Sequence, residues 1–137
     1  MWRSMPTTEV IYFAEQDASP FLEWLDRQQE RVQDKIFDAV ARLEELGHEL
    51  RRPEAEYLGD QIYELRVKWG HVNYRPLYFF DDLKDEKTGR ISHRRAVIVH
   101  GCTKEGKVGR ADLRLAAIRR KQYLADRTAH TFVPPAG

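Results

Sequence analysis

The chain contains a single cysteine, Cys102, so no internal disulfide is possible. That suits a reducing compartment, and a cytoplasmic protein is expected. No apolar run approaches the roughly 18 residues that a membrane-spanning helix needs. The opening stretch MWRSMPTTEV lacks an apolar h-region and is not read as a secretory leader. Walker, GxGxxG, HExxH and CxxC patterns are all missing. The histidines, at 48, 71, 93, 100 and 130, show no metal-ligand spacing. His100 and Cys102 stand two apart on an apolar stretch and read as packing residues, neither a metal pair nor a nucleophile with its base. No metal and no cofactor are therefore expected.

What is present is a chain of one-domain size, 137 residues, with 42% apolar and 11% aromatic residues, too many for disorder. Its charge is sorted along the chain. Residues 1–60 hold 7 Lys/Arg against 14 Asp/Glu, residues 61–103 hold 8 against 5, and residues 104–137 hold 8 against 3. A basic second half beside an acidic first half points to an anionic partner.

The element pattern is legible. TEVIYF (8–13) reads as a strand. In DASPFLEWL, Ser19 is a cap and Pro20 suits the first helical turn, with Phe21, Trp24 and Leu25 on one face. Val32, Ile36, Val40, Leu43 and Leu46 mark a second helix that Gly47 stops. QIYELRVKW (61–69) alternates, with Tyr63, Leu65, Val67 and Trp69 on one face and Glu64, Arg66 and Lys68 on the other. VNYRPLYFF (72–80) is apolar on both faces, as a covered central strand would be, although Pro76 has no N–H for the ladder. Residues 82–94 form a polar hairpin tip with Gly89 at the turn, and RRAVIVHGCTK (94–104) is a buried strand. A basic helix follows from about 109 to 127, packing through Leu115 and Ile118. The expected class is α+β in the order β-α-α-β-β-β-α, a small, twisted, mostly antiparallel sheet packed by an N-terminal helical hairpin. One domain spans 1–137, with a core over about 8–127 and frayed ends at 1–7 and 128–137.

The chemistry resides in cations. Arg66 and Lys68 share one strand, Arg75 lies on its hairpin partner, and Lys104 and Lys107 follow the next strand. If the three strands are neighbours, these side chains converge. Guanidinium groups bind phosphate bidentately and stay charged at any physiological pH. His71, Tyr74 and Tyr78 interleave and offer rings for bases to stack on. The other reading is a solvated sheet face.

The stretches LEELG, YLGDQIYELRVK, NYRPLYFFDD, AVIVHGCTKEGK and RRKQYL, in this order, resemble a RelE/ParE-superfamily toxin of the phage-derived, HigB-like branch, over about residues 8–125. The chain departs from that pattern at Cys102, where an aromatic is usual, at Pro76, in EGKVGR after the last strand, and in a longer hairpin tip. The resemblance implies the RelE-like fold and a toxin of a type II toxin–antitoxin system that inhibits translation as a hydrolase, an endoribonuclease cutting mRNA on the ribosome. It implies an antitoxin partner of the helix-turn-helix, HigA-like kind, and no membrane. Arg66, Arg75 and Lys104 match the functional positions.

RNA supplies its own nucleophile, the 2′-hydroxyl, so no metal is called for, and positioning and charge carry the reaction. Arg66 and Arg75 would clamp the phosphate, Lys68 or His71 would take a proton, and Lys104 or His100 would donate one, provided neighbouring cations lower a lysine's pKa. Tyr74, Tyr78, His71, His100 and Lys107, with Arg119 and Arg120 on the terminal helix, complete the expected RNA-binding set. A ParE-like inhibitor of DNA gyrase, or a protein that only binds its antitoxin, remain alternatives, since one fold hosts several activities.

Overall fold

A computed structural model describes residues 7–135, so residues 1–6 of the expected frayed segment 1–7, and residues 136–137, lie outside the described residues. Strand β1 (Glu9–Tyr12) leads into helix α1 (Pro20–Asp26). The Ser19 hydroxyl accepts from the Leu22 N–H at 3.2 Å and Pro20 opens the first turn, as the cap pattern predicts. Helix α2 (Glu30–Leu46) buries Val32, Ile36, Val40 and Leu43. It stops where Gly47 turns to φ +51°; a Cβ there would sit 2.3 Å from Thr8 Oγ1.

The expected strand over 61–69 is two strands, β3 (Ile62–Leu65) and β4 (Val67–Trp69), broken at Arg66. The partner strand β5 (Val72–Phe80) explains the break. Pro76 has no N–H to offer that ladder, and the Arg66 N–H turns away to the Glu54 carbonyl at 2.9 Å. A strand the pattern did not reveal, β2 (Ala55–Gly59), pairs with β3. The hairpin tip carries β6 (Leu83–Lys84) and β7 (Ile91–His93) as a separate two-stranded arm. Strand β8 (Arg95–Lys104) and helix α3 (Arg110–Ala125) follow as read.

The main sheet runs β1-β8-β5-β3-β2, with β4 also on β5. Only the β1–β8 pair is parallel, so the sheet is mostly antiparallel and the α+β class holds. Alternation runs unbroken through Pro76. Tyr74 and Tyr78 join Phe21, Leu25, Ile36 and Leu43 beneath the α1–α2 hairpin, while Leu77 and Phe79 join Ala116 and Tyr123 beneath α3.

Helix α3 does not pack as expected. Ile118 is 47% exposed, and the inward stripe is Ala116, Arg120 and Tyr123 with Arg119 beside it. The segment after α3, expected to fray, is tied down. The Phe132 N–H bonds to the Tyr12 carbonyl at 2.9 Å, and the His130 ring stacks on Phe13 at 5.0 Å.

One irregularity aims the site. Leu77 faces His100 but Tyr78 faces Ile98, which leaves Val99 as an extra residue in β8. Val99 and His100 then both turn toward α3, and Cys102 and Lys104 follow on that side at alternate positions. Gly101 points the other way, where a Cβ would lie 2.2 Å from Trp24 Cε3.

Candidate functional site

Beside α3, where the helix leaves the sheet uncovered, a groove of about 720 Å³ opens between the β2–β3 edge and the 105–108 loop. Arg66, Asn73, Arg75 and Lys107 line it together with Glu56 and Glu64. Its arginines are not free. Arg75 is 5% exposed, its Nε lies 3.2 Å from Glu64, and its Nη1 donates to the Tyr74 carbonyl at 3.3 Å. The half-exposed Arg66 has Nε 3.5 Å from Glu64 and Nη1 3.5 Å from Glu56, which Arg52 also holds. Arginine and carboxylate therefore alternate along one wall.

Glu64 is the residue that the sequence reading passed over. Its carboxylate is buried, and that burial raises its pKa above the usual carboxylate range even with Arg75 and Arg66 beside it. The signal was there: Glu64 lies between Tyr63 and Leu65 on an alternating strand, on the same face as Arg66. Tyr57 was missed because β2 was missed. It borders the groove half-exposed, but its ring packs on Tyr63 at 4.9 Å, its strand partner on the face away from Glu64, and its hydroxyl oxygen accepts from the Gln61 N–H at 3.1 Å.

A second cluster adjoins the groove. Lys104 Nζ lies 2.6 Å from Asp112 Oδ2, and His100 Nε2 lies 2.8 Å from Asp112 Oδ1. The hydrogen bond and charge of Asp112 hold Lys104 above its ordinary pKa, opposite to the lowering that neighbouring cations were expected to bring. Burial pushes Asp112 up, but the hydrogen bonds from Lys104 and His100 outweigh it and hold the carboxyl below its usual range. Arg119 Nη1 lies 3.3 Å from His100 Nδ1, so both ring nitrogens are engaged. Burial pushes the Cys102 thiol up to about 12, which leaves it a poor nucleophile. The ligand atoms of His100, Cys102 and Asp112 lie within 4.8 Å of one another, a set that could hold a metal ion, whereas spacing alone reads His100 and Cys102 as packing residues and does not single out Asp112.

The remaining expected site residues are elsewhere. Lys68 is exposed and borders a depression with Lys35 and Asp38 of α2. His71 sits exposed at the β4–β5 turn. Tyr74 and Tyr78 face the opposite side of the sheet. Tyr78 is fully buried, stacked on Tyr63 at 5.5 Å, and its ring is closed to a base. Arg119 donates to the Val99 carbonyl at 2.8 Å and lies 3.2 Å from Glu15, while Arg120 lies over the Phe79 ring at 5.7 Å. Both arginines face inward against the sheet, and neither lines the groove.

A twisted, mostly antiparallel sheet with a helical hairpin on one face, and a terminal helix beside a charged groove on the other, is the small RelE-like α+β fold. The family model described as phage derived protein Gp49-like (DUF891) matches residues 23–121. The chain belongs to that Gp49-like family, which falls within the RelE/HigB-like toxin group. No curated protein matches it. No helix among the described residues is long and apolar enough to cross a membrane.

Proposed function

We propose that this chain is the toxin of a type II toxin–antitoxin pair and that its groove cleaves mRNA presented by the ribosome, without a metal ion. One observation carries the reading: Arg66 and Arg75 line a groove against a buried, weakly acidic Glu64. Arg66 swings to the scissile phosphate and its developing charge, where a guanidinium binds two oxygens at once. Glu64 takes the 2′-hydroxyl proton; a carboxylate with raised pKa is the better base, and such a transfer is worth about 10²–10⁴-fold. The 2′-oxygen attacks phosphorus, the bond to the 5′-oxygen breaks, and water protonates the leaving oxygen. A 2′,3′-cyclic phosphate remains. Lys104, held charged by Asp112, contributes field and no proton.

A helix-turn-helix, HigA-like antitoxin silences the site by presenting acidic side chains to Arg66 and Lys107, in competition with RNA. The self-pairing of Arg52, Arg66 and Arg75 with Glu56 and Glu64 favours a second reading, a toxin that binds its antitoxin or gyrase and cuts nothing.

The test is expression of the chain in bacteria, with RNA ends mapped by primer extension. New internal ends are expected with the wild-type protein and none with Arg66→Ala at unchanged folding. Arg66 is the position to change because it is half-exposed, whereas removing the buried Arg75 strands Glu64. Intact transcripts beside stalled replication support the second reading. Cleavage by the purified protein on ribosomes is expected to persist in EDTA once magnesium is restored at ribosome-sustaining levels with zinc-class ions kept chelated.

A further inference from the structure

We propose that His100, Cys102 and Asp112 form a binding site for a zinc-class divalent ion, separate from the groove chemistry. Their ligand atoms already lie within 4.8 Å of one another, with His100 Nε2 and Asp112 Oδ1 at 2.8 Å. Tetrahedral zinc–ligand bonds of about 2.0–2.3 Å need only small side-chain shifts from that arrangement. The bulge at Val99 creates the site. Were β8 to alternate regularly through Val99, His100 and Cys102 would lie on the face away from α3, and Asp112 in its first turn would meet neither.

The donor set selects the ion. Thiolate, imidazole and one carboxylate suit zinc, cobalt or copper, whereas magnesium and calcium require more oxygen ligands than the site offers. Three protein donors leave a fourth position for water, the pattern of an open site. The surroundings serve as an outer shell. Lys104 holds the second oxygen of Asp112 at 2.6 Å and so leaves Oδ1 for the ion. On binding, the Cys102 thiol proton leaves to solvent and the sulfur bonds the metal. The His100 ring proton moves from Nε2 to Nδ1; Arg119 gives up its 3.3 Å contact there and keeps its bond to the Val99 carbonyl. An occupied site ties the start of α3 to the end of β8, beside Arg75, which faces Cys102 across the ladder.

Cobalt titration of the purified full chain tests the site. Because Cys102 is the only cysteine, any thiolate-to-cobalt charge-transfer band reports on this position alone. Expected are a band saturating at one ion per chain, its displacement by zinc and not by magnesium, its absence in Cys102→Ser, and binding about 10-fold or more weaker in Asp112→Asn. No band in the wild-type protein overturns the proposal, as does zinc binding that Cys102→Ser leaves unchanged. The wild-type spectrum decides even if a variant fails to fold. It is read without RNA, so its failure leaves the cleavage reading untouched.

Discussion

Glu64 and Asp81 are both carboxylates about 5% exposed, and each is flanked by two arginines, yet their acidities move in opposite directions. Asp81 receives Arg127 through two bonds of 2.8 and 2.9 Å and Arg95 through a third. Burial pushes Asp81 up, but these bonds outweigh it and hold it below the usual carboxylate range. Glu64 is met by Arg75 at 3.2 Å and Arg66 at 3.5 Å, neither in a bidentate fork, and burial prevails. The two differ in how tightly the pairing is made. Asp81 is closed on itself and clips the end of α3 to the sheet. Glu64 is left underpaired at a groove wall, where a proton acceptor is useful.

The largest effect expected from breaking this contrast is on the tight pair. Asp81→Ala should cost about 3 kcal/mol in urea unfolding, because it removes three charge-assisted hydrogen bonds and strands the partly buried Arg95 beside Arg127. A loss under about 1 kcal/mol would put Asp81 in the same class as Glu64. At the loose pair the stability effect should be small and the functional one large. Glu64→Gln should change stability by no more than about 1 kcal/mol, since the amide oxygen can still accept from the buried Arg75 while the cost of burying a carboxylate is removed. Cleavage should fall by about 10²-fold or more, read as initial rate on ribosome-bound mRNA.

The arginines of α3 sharpen the same distinction between tied and available cations. Arg119→Glu should cost about 2 kcal/mol by losing the Val99 carbonyl and facing Glu15. Arg110→Glu, at an exposed position, should stay within about 0.5 kcal/mol, both measured by thermal melts. Smallest is the pH effect, whose sign differs between the two carboxylates. The contribution of Asp81 is present above its unfolded value of 3.8 and is lost as pH falls through its lower folded value. That of Glu64 is present below 4.5 and is lost as pH rises through its higher folded value. As pH falls toward 4.5 through the raised folded value of Glu64, this group should add slightly to stability, and Glu64→Gln should remove that increment.

Much of the fold was legible because local signals and burial agree. Val72–Phe80 and the Ser19–Pro20 cap were read nearly to the residue from apolar runs and cap chemistry. What misled was polar residues placed inward. AEYLG (55–59) carries too little apolar alternation to announce an edge strand, so Tyr57 went unseen. Helix α3 turns Arg119 and Arg120 toward the sheet, which hides its true stripe and made Leu115 and Ile118 seem the core positions. The site was legible in part. Arg66, Arg75 and Lys107 do share a groove, as strand adjacency suggested. The partners that set their chemistry, Glu64 and Asp112, were not read, because pairing across strands and onto the next helix depends on register and on the bulge at Val99.

Carboxyl-carbon NMR titration of Glu64 and Asp81 in the intact chain is the most direct measurement. The predicted result is a Glu64 midpoint above its ordinary 4.5 and an Asp81 midpoint below its ordinary 3.8. A Glu64 midpoint depressed as far as that of Asp81 would mean that its arginines are as tightly committed as those of the structural clip, and would contradict the role proposed for it as the groove's base.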